Sequence, residues 1–231
     1  MTESVLPLAP LRAVTFDLDG LMFNTEEIYQ EVDRTILARR GKPSSGELLD
    51  QMMGRKAQDA LQLMIDWHQL SDTFEELLAE SREIMSRLLP ARLAPMPGLM
   101  ALLSALEAAG VPKGIATSSG QEYAASVLLH FQLEPRFSFV LTGDHIEQSK
   151  PAPDVYLLAA EKHGVRPEEM LVLEDSQIGC QSGVAAGAYT VAVPGGRSHA
   201  HDFTGTRFIA KSLTDERIYQ ALSLPNLPAD S

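Results

Sequence analysis

From Leu99 onward, short apolar runs alternate with segments of helical periodicity, and this rhythm constrains the fold more than any other feature. Leu99–Ala109 reads as an apolar-faced helix stopped by Gly110. Gly114-Ile115-Ala116 reads as a strand with a helix after it near Tyr123–Phe131, and Phe137–Leu141 as a strand with a helix near Asp154–His163. Leu171-Val172-Leu173 is followed by a helix near Gln177–Ala186, and Thr190-Val191-Ala192-Val193 and Phe208-Ile209 complete the series. Strands separated by helices of this length are βαβ units, which build a parallel sheet. One more strand stands apart, at Ala13-Val14-Thr15-Phe16. Between it and Leu99 the apolar residues recur at three- and four-residue intervals, as in Thr35-Ile36-Leu37, Ala60-Leu61-Leu63-Met64-Ile65 and Phe74-Leu77-Leu78, with no strand pattern. The chain is therefore read as α/β, with a helical insertion after its first strand. Asn24-Thr25-Glu26-Glu27 reads as the start of the insertion, with Asn24 as helix cap and a glutamate three residues on. Leu89-Pro90 reads as its end, and Ala94-Pro95-Met96-Pro97-Gly98 as a stiff linker. Met1–Pro10 and Pro225–Ser231 read as loose ends.

Charge and cysteine content narrow the partners. A net charge of −12 and a pI near 4.9 argue against nucleic acid or an anionic membrane, whose phosphates need clustered Lys and Arg. A small phosphorylated substrate needs only a local positive pocket and stays open. The lone Cys180 makes no intrachain disulfide and reads as a small core residue in a reducing compartment. With neither a basic, apolar leader pattern nor a run able to span a bilayer, the expected location is cytoplasmic. His199 and His201 lack a third ligand at suitable spacing and read as loop residues. Gly179, Gly183 and Gly187, four residues apart, read as a helix face lying close on the sheet.

In open parallel sheets, ligands bind beyond the carboxyl ends of the strands. The first strand ends at Asp17-Leu18-Asp19-Gly20, two carboxylates that leave the strand on one side as the chain turns. The next ends at Thr117, Ser118 and Ser119, the third leads to a loop with Lys150 before Pro151 and Pro153, and the fourth ends at Glu174 and Asp175. Each alone has an ordinary reading: a polar turn, a helix cap, a solvated lysine. Together they put like charges, hydroxyls and a lysine on one rim, where crowded carboxylates call for a cation.

Asp17-Leu18-Asp19-Gly20, Thr117-Ser118, Lys150-Pro151 and Glu174-Asp175, in this order, resemble the motifs of the haloacid dehalogenase (HAD) superfamily. The insertion is similar to the small helical cap of its β-phosphoglucomutase-like branch. Within that branch Gly20-Leu21, Thr25-Glu26, Met53-Gly54-Arg55-Lys56-Ala57 and Ala116-Thr117-Ser118-Ser119 look most like pseudouridine-5′-phosphatase-like hydrolases. The resemblance implies a Rossmann-like parallel-sheet core of residues 1–24 and 95–231, with an inserted α-helical cap domain at 25–94. It implies Asp17 as nucleophile and Asp19 as general acid and base. Mg²⁺ would be held by Asp17, the backbone carbonyl of Asp19, and Asp175 with help from Glu174. Thr117, the backbone N–H of Ser118, and Lys150 would bind phosphoryl oxygens, and Arg55 and Lys56 would touch the leaving group. Met22 and Phe23 would either face the leaving group or pack under the cap. Family members usually carry Asp where this chain has Asn24.

The function implied is a Mg²⁺-dependent phosphatase for a small sugar-like or nucleoside-like monophosphate, working through an aspartyl-phosphate as a monomer or weak homodimer. A phosphomutase would use the same residues but needs a second anion site in the cap. Arg55 and Lys56 are the candidates for it, and the acidic stretch Asp72–Glu76 is expected to repel a second phosphate. A haloacid dehalogenase needs no metal, so Asp19, Glu174 and Asp175 argue against it. Retention of every motif argues against a non-catalytic binding protein.

Overall fold

The computed structural model describes residues 7 and 9–225, so the expected loose ends fall largely outside the described residues. The apolar runs form β1 (Ala13–Phe16), β2 (Lys113–Ala116), β3 (Val140–Leu141), β4 (Met170–Glu174), β5 (Tyr189–Ala192) and β6 (Phe208–Ile209). They make one parallel six-stranded sheet in the order β3-β2-β1-β4-β5-β6. Every residue of β1, β2, β4 and β5 is buried, which explains why these strands read as continuous apolar runs. Helices α5 (Leu99–Ala108), α6 (Gln121–His130) and α9 (Glu216–Ala221) supply the core on one face of the sheet, and α7 (Asp154–His163) that on the other, beside α8 (Gln177–Ala185). The sequence reading placed these elements correctly, though β3 is shorter than Phe137–Leu141, with a turn of 3₁₀-helix over Glu134–Arg136 ahead of it.

This strand order reverses direction between β1 and β4, and there the connections diverge to opposite faces and leave a crevice at the strand ends. Phe16 is level with Leu173, so the residues that follow, Asp17 and Glu174, leave adjacent strands side by side.

The helical block between β1 and α5 consists of α1 (Thr25–Arg39), α2 (Gly46–Met52), α3 (Ala57–His68) and α4 (Phe74–Arg92). It has its own apolar cluster, with Ile28, Val32, Ile36, Leu48, Met64, Leu77 and Ile84 at its centre. Ser45 caps α2, and Thr73 with Glu76 forms a capping box on α4.

Three readings are corrected. Asn24 makes no capping hydrogen bond to α1. Its amide instead spans the return crossing of the chain, donating to the Arg92 carbonyl at 3.0 Å and accepting from the Ala94 N–H at 2.7 Å. Helix α4 does not stop at Leu89-Pro90 but runs through Pro90 to Arg92. Proline removes one N–H near the helix end; the Leu93 N–H still closes on the Leu89 carbonyl at 3.0 Å, and Arg92 pairs with Glu31 of α1. Gly183 does let α8 lie on the sheet, against Val172 and Thr190, whereas Gly187 follows the helix and meets nothing.

Candidate active site

Asp17, Glu174, Asp175 and Lys150 converge at the crevice beside β1 and β4. Lys150 is buried, with Nζ 2.6 Å from Asp17 Oδ1, 2.6 Å from Glu174 Oε1 and 3.0 Å from the Ala116 carbonyl. Burial works against its charge, but the two carboxylates prevail and hold its pKa above the ordinary lysine value. Glu174 is fully engaged. Tyr156 donates to Oε1 at 2.8 Å, and the Ser176 N–H and hydroxyl donate to Oε2 at 3.3 and 3.1 Å. The carboxylate lies under the first turn of α8, where a Cβ at Gly179 would stand 1.9 Å from Oε1. This position requires glycine.

Asp17 and Asp175 are held well above the usual carboxylate range, chiefly by burial. Repulsion adds to it, from Glu174 and Asp19 on Asp17 and from Glu174 and Asp17 on Asp175, while Lys150 opposes it. Ligand oxygens of Asp17, Glu174 and Asp175 lie within 4.8 Å of one another. Such a set of hard oxygen donors, crowded and short of positive charge, fits a small divalent cation. Gly20 turns the chain with φ +78°, and a Cβ there would fall 2.1 Å from Asp175 Oδ2, so the turn after the DLDG run and the acidic group fit each other only through glycine.

The Asp19 carboxylate is turned away from that group. Its Oδ2 accepts from Ser119 Oγ at 2.6 Å and from Thr117 Oγ1 at 3.4 Å, and its Oδ1 accepts from Tyr123 at 3.0 Å. The Tyr123 phenol, raised by burial and then by the Asp19 charge, stays a donor. Ser118 Oγ is buried and meets no partner, an orphaned polar atom beside the acidic group's rim.

Above the rim is a cavity of about 1270 Å³, roofed by the helical block. Arg55 and Lys56 both line it. Arg55 donates back to the Gln51 carbonyl at 2.6 Å, and Lys56 crosses to the Ile146 carbonyl at 3.2 Å. Met22 and Phe23 pack rather than face the cavity: both are buried in the core, and Phe23 stacks on Phe131. The acidic stretch Asp72–Glu76, expected to repel a second phosphate, does not line the cavity: Asp72 pairs with Arg40 at 2.6 Å, and Glu76 closes the capping box on Thr73. Among the described residues, His199 and His201 join no metal-ligating group. Cys180 is buried against Ala192 and Phe203, with its thiol pushed up by burial.

Tyr123 and Tyr156 escaped the sequence reading. Tyr123 stands in the first turn of α6, just past the Thr117–Ser119 strand end, and that placement is the one signal that pointed to it. No local pattern marks Tyr156, which reaches Glu174 from the first turn of α7.

Residues 14–193 match the family model described as haloacid dehalogenase-like hydrolase. The chain is 30% identical over 77% of its length to a phosphorylated carbohydrates phosphatase of Thermotoga maritima, spanning 82% of that protein. It is 34% identical to a "Probable pseudouridine-5′-phosphatase" of Drosophila melanogaster, covering 89% of this chain and 92% of the other. In structure it superposes on a β-phosphoglucomutase of Clostridium difficile with TM-score 0.79, covering 92% and 97% of the two chains at 18% identity, a likeness of fold alone.

Proposed function

Because the chain belongs to the haloacid dehalogenase-like hydrolases, and is a phosphomonoester hydrolase among them, we propose that it is a Mg²⁺-dependent phosphatase acting through an aspartyl-phosphate on Asp17. The observation that carries this reading is Lys150 clamped between Asp17 and Glu174 beside Asp175, three buried carboxylates sharing one lysine at the strand-end rim.

Asp17 attacks phosphorus with one carboxylate oxygen as the ester P–O bond breaks, and Asp19 gives its proton to the departing alcohol oxygen. Water then attacks the same phosphorus, Asp19 takes its proton, and the acyl-phosphate bond opens to free Asp17 and inorganic phosphate. Ser119, Thr117 and Tyr123 fix the Asp19 carboxyl for both transfers. Lys150 and the Thr117–Ser118 turn bind the phosphoryl oxygens, the orphaned Ser118 hydroxyl among them. Asp17 and Asp175, with the backbone carbonyl of Asp19, would hold Mg²⁺, and Glu174 fixes Lys150 behind them. When bound, the cation neutralises charge between the phosphoryl group and its attacking carboxylate. The block at 25–94 acts as a cap over the core formed by 1–24 and 95–231, excluding water in the first step, with Arg55 and Lys56 near the leaving group. The substrate is a sugar-like or nucleoside-like monophosphate. The protein works in a reducing, cytoplasmic compartment; among the described residues no helix is long and apolar enough to cross a membrane.

Phosphate release from a panel of monophosphates, with Mg²⁺ and with excess chelator, tests this. Release that requires Mg²⁺ is expected. Full turnover in chelator would overturn the metal assignment. Sugar-phosphate isomerisation outpacing release, and only after priming with a bisphosphate, would replace hydrolysis with mutase chemistry.

A further inference from the structure

Helix α1 presents Glu26, Tyr29 and Asp33 to the cavity, at positions three and seven residues apart on one face. Asp33 is only 8% exposed. Other acids of the helical block have partners: Asp72 and Glu80 pair with Arg40, and Asp50 pairs with Arg197. Asp33 has no hydrogen bond and no ion pair among the described residues, and its one charged neighbour is another acid, Glu26. With no partner among the described residues, the carboxyl is left to whatever occupies the cavity it lines. Tyr29 lies against Tyr123, ring centroids 5.8 Å apart, and Tyr123 holds Asp19 at 3.0 Å. One wall of the cavity thus runs from the proton-transfer carboxyl at the rim up to Asp33 in the roof.

We propose that Asp33 is a specificity residue that takes a hydrogen bond from a hydroxyl of the leaving group, selecting monophosphate esters of neutral, polyhydroxylated alcohols. This rests on the phosphatase reading above and narrows its substrate class. A leaving group with a second phosphate would meet the Glu26 charge beside Asp33. A cationic leaving group would share the cavity with Arg55, Lys56 and Arg82. A neutral hydroxyl suits both. Burial and the Glu26 charge raise the Asp33 carboxyl to about 8, so near neutral pH it both donates to and accepts from such a hydroxyl.

The test compares the wild type with Asp33→Leu and Asp33→Asn on three esters: a pentose phosphate, phenyl phosphate and phosphoethanolamine. In Asp33→Leu the ratio of kcat/KM for the pentose ester to that for the phenyl ester should fall about 10- to 100-fold, carried mostly by KM. Asp33→Asn keeps an acceptor oxygen and should recover part of that ratio, remaining about threefold or more below wild type. A ratio unchanged in both variants overturns the inference, as does wild-type preference for phosphoethanolamine over the pentose ester. If Asp33→Leu fails to fold, the isosteric Asp33→Asn decides alone by the same ratio. Failure of the phosphatase reading looks different: no ester then yields phosphate with the wild type and Mg²⁺.

Discussion

The unpartnered Asp33 has a thermodynamic consequence that needs no substrate. Its carboxyl is raised from the ordinary 3.8 to about 8, first by burial and then by the Glu26 charge. The folded protein therefore keeps a proton that the unfolded chain has already released. Stability from this group is present at acid pH and is lost as pH rises between the unfolded and folded values. At about 1.4 kcal/mol per tenfold in proton affinity, the loss has a ceiling of about 6 kcal/mol; water in the adjoining cavity brings the expected figure to about 3 kcal/mol. Asp33→Asn keeps the shape and removes the charge. It should match the wild type near pH 4 and exceed it by about 3 kcal/mol above pH 8, a gain of roughly 6–12 °C in Tm. Parallel urea titrations of both proteins, from about pH 4 to pH 9, measure the difference directly. A difference independent of pH, or a variant less stable than wild type at alkaline pH, would refute the assignment of Asp33 as a buried carboxyl without a partner.

Other expectations follow from single contacts. Gly179→Ala drives a methyl into Glu174, so despite its better helix propensity it should lower Tm and cut kcat by at least about tenfold through displaced Lys150, measured by calorimetry and steady-state kinetics. Ser119→Ala and Tyr123→Phe each remove one of the shorter hydrogen bonds to Asp19 and should lower kcat by about tenfold with KM little changed; a loss confined to KM would place Asp19 outside proton transfer. Asn24→Asp loses the donor to the Arg92 carbonyl and should cost about 1 kcal/mol in denaturant unfolding, whereas an unchanged midpoint would show that crossing to be held without it.

The strands, their helices and the four polar strand ends were legible because each has a local cause. Buried parallel strands are continuous apolar runs, and a sheet of this topology gathers its strand-end residues on one rim. What stayed hidden depends on partners distant in sequence. Asn24 carries the local mark of a helix cap, yet its amide is used by Arg92 and Ala94, about seventy residues on. Pro90 marks a helix end, yet packing of α4 on α1 carries the helix past it. Asp72 looked set to repel a second phosphate until Arg40 claimed it. Tyr123, Tyr156 and Asp33 sit at ordinary helical positions, and only the packing of α6, α7 and α1 aims them at the site.

The account turns on a covalent bond between Asp17 and phosphorus. Enzyme quenched during turnover and reduced with borohydride converts an acyl-phosphate into an alcohol, which peptide mass spectrometry locates as homoserine. Homoserine at position 17, dependent on substrate and absent from Asp17→Asn, is the expected result. Steady phosphate release with position 17 unmodified, or homoserine at another carboxylate, would contradict it.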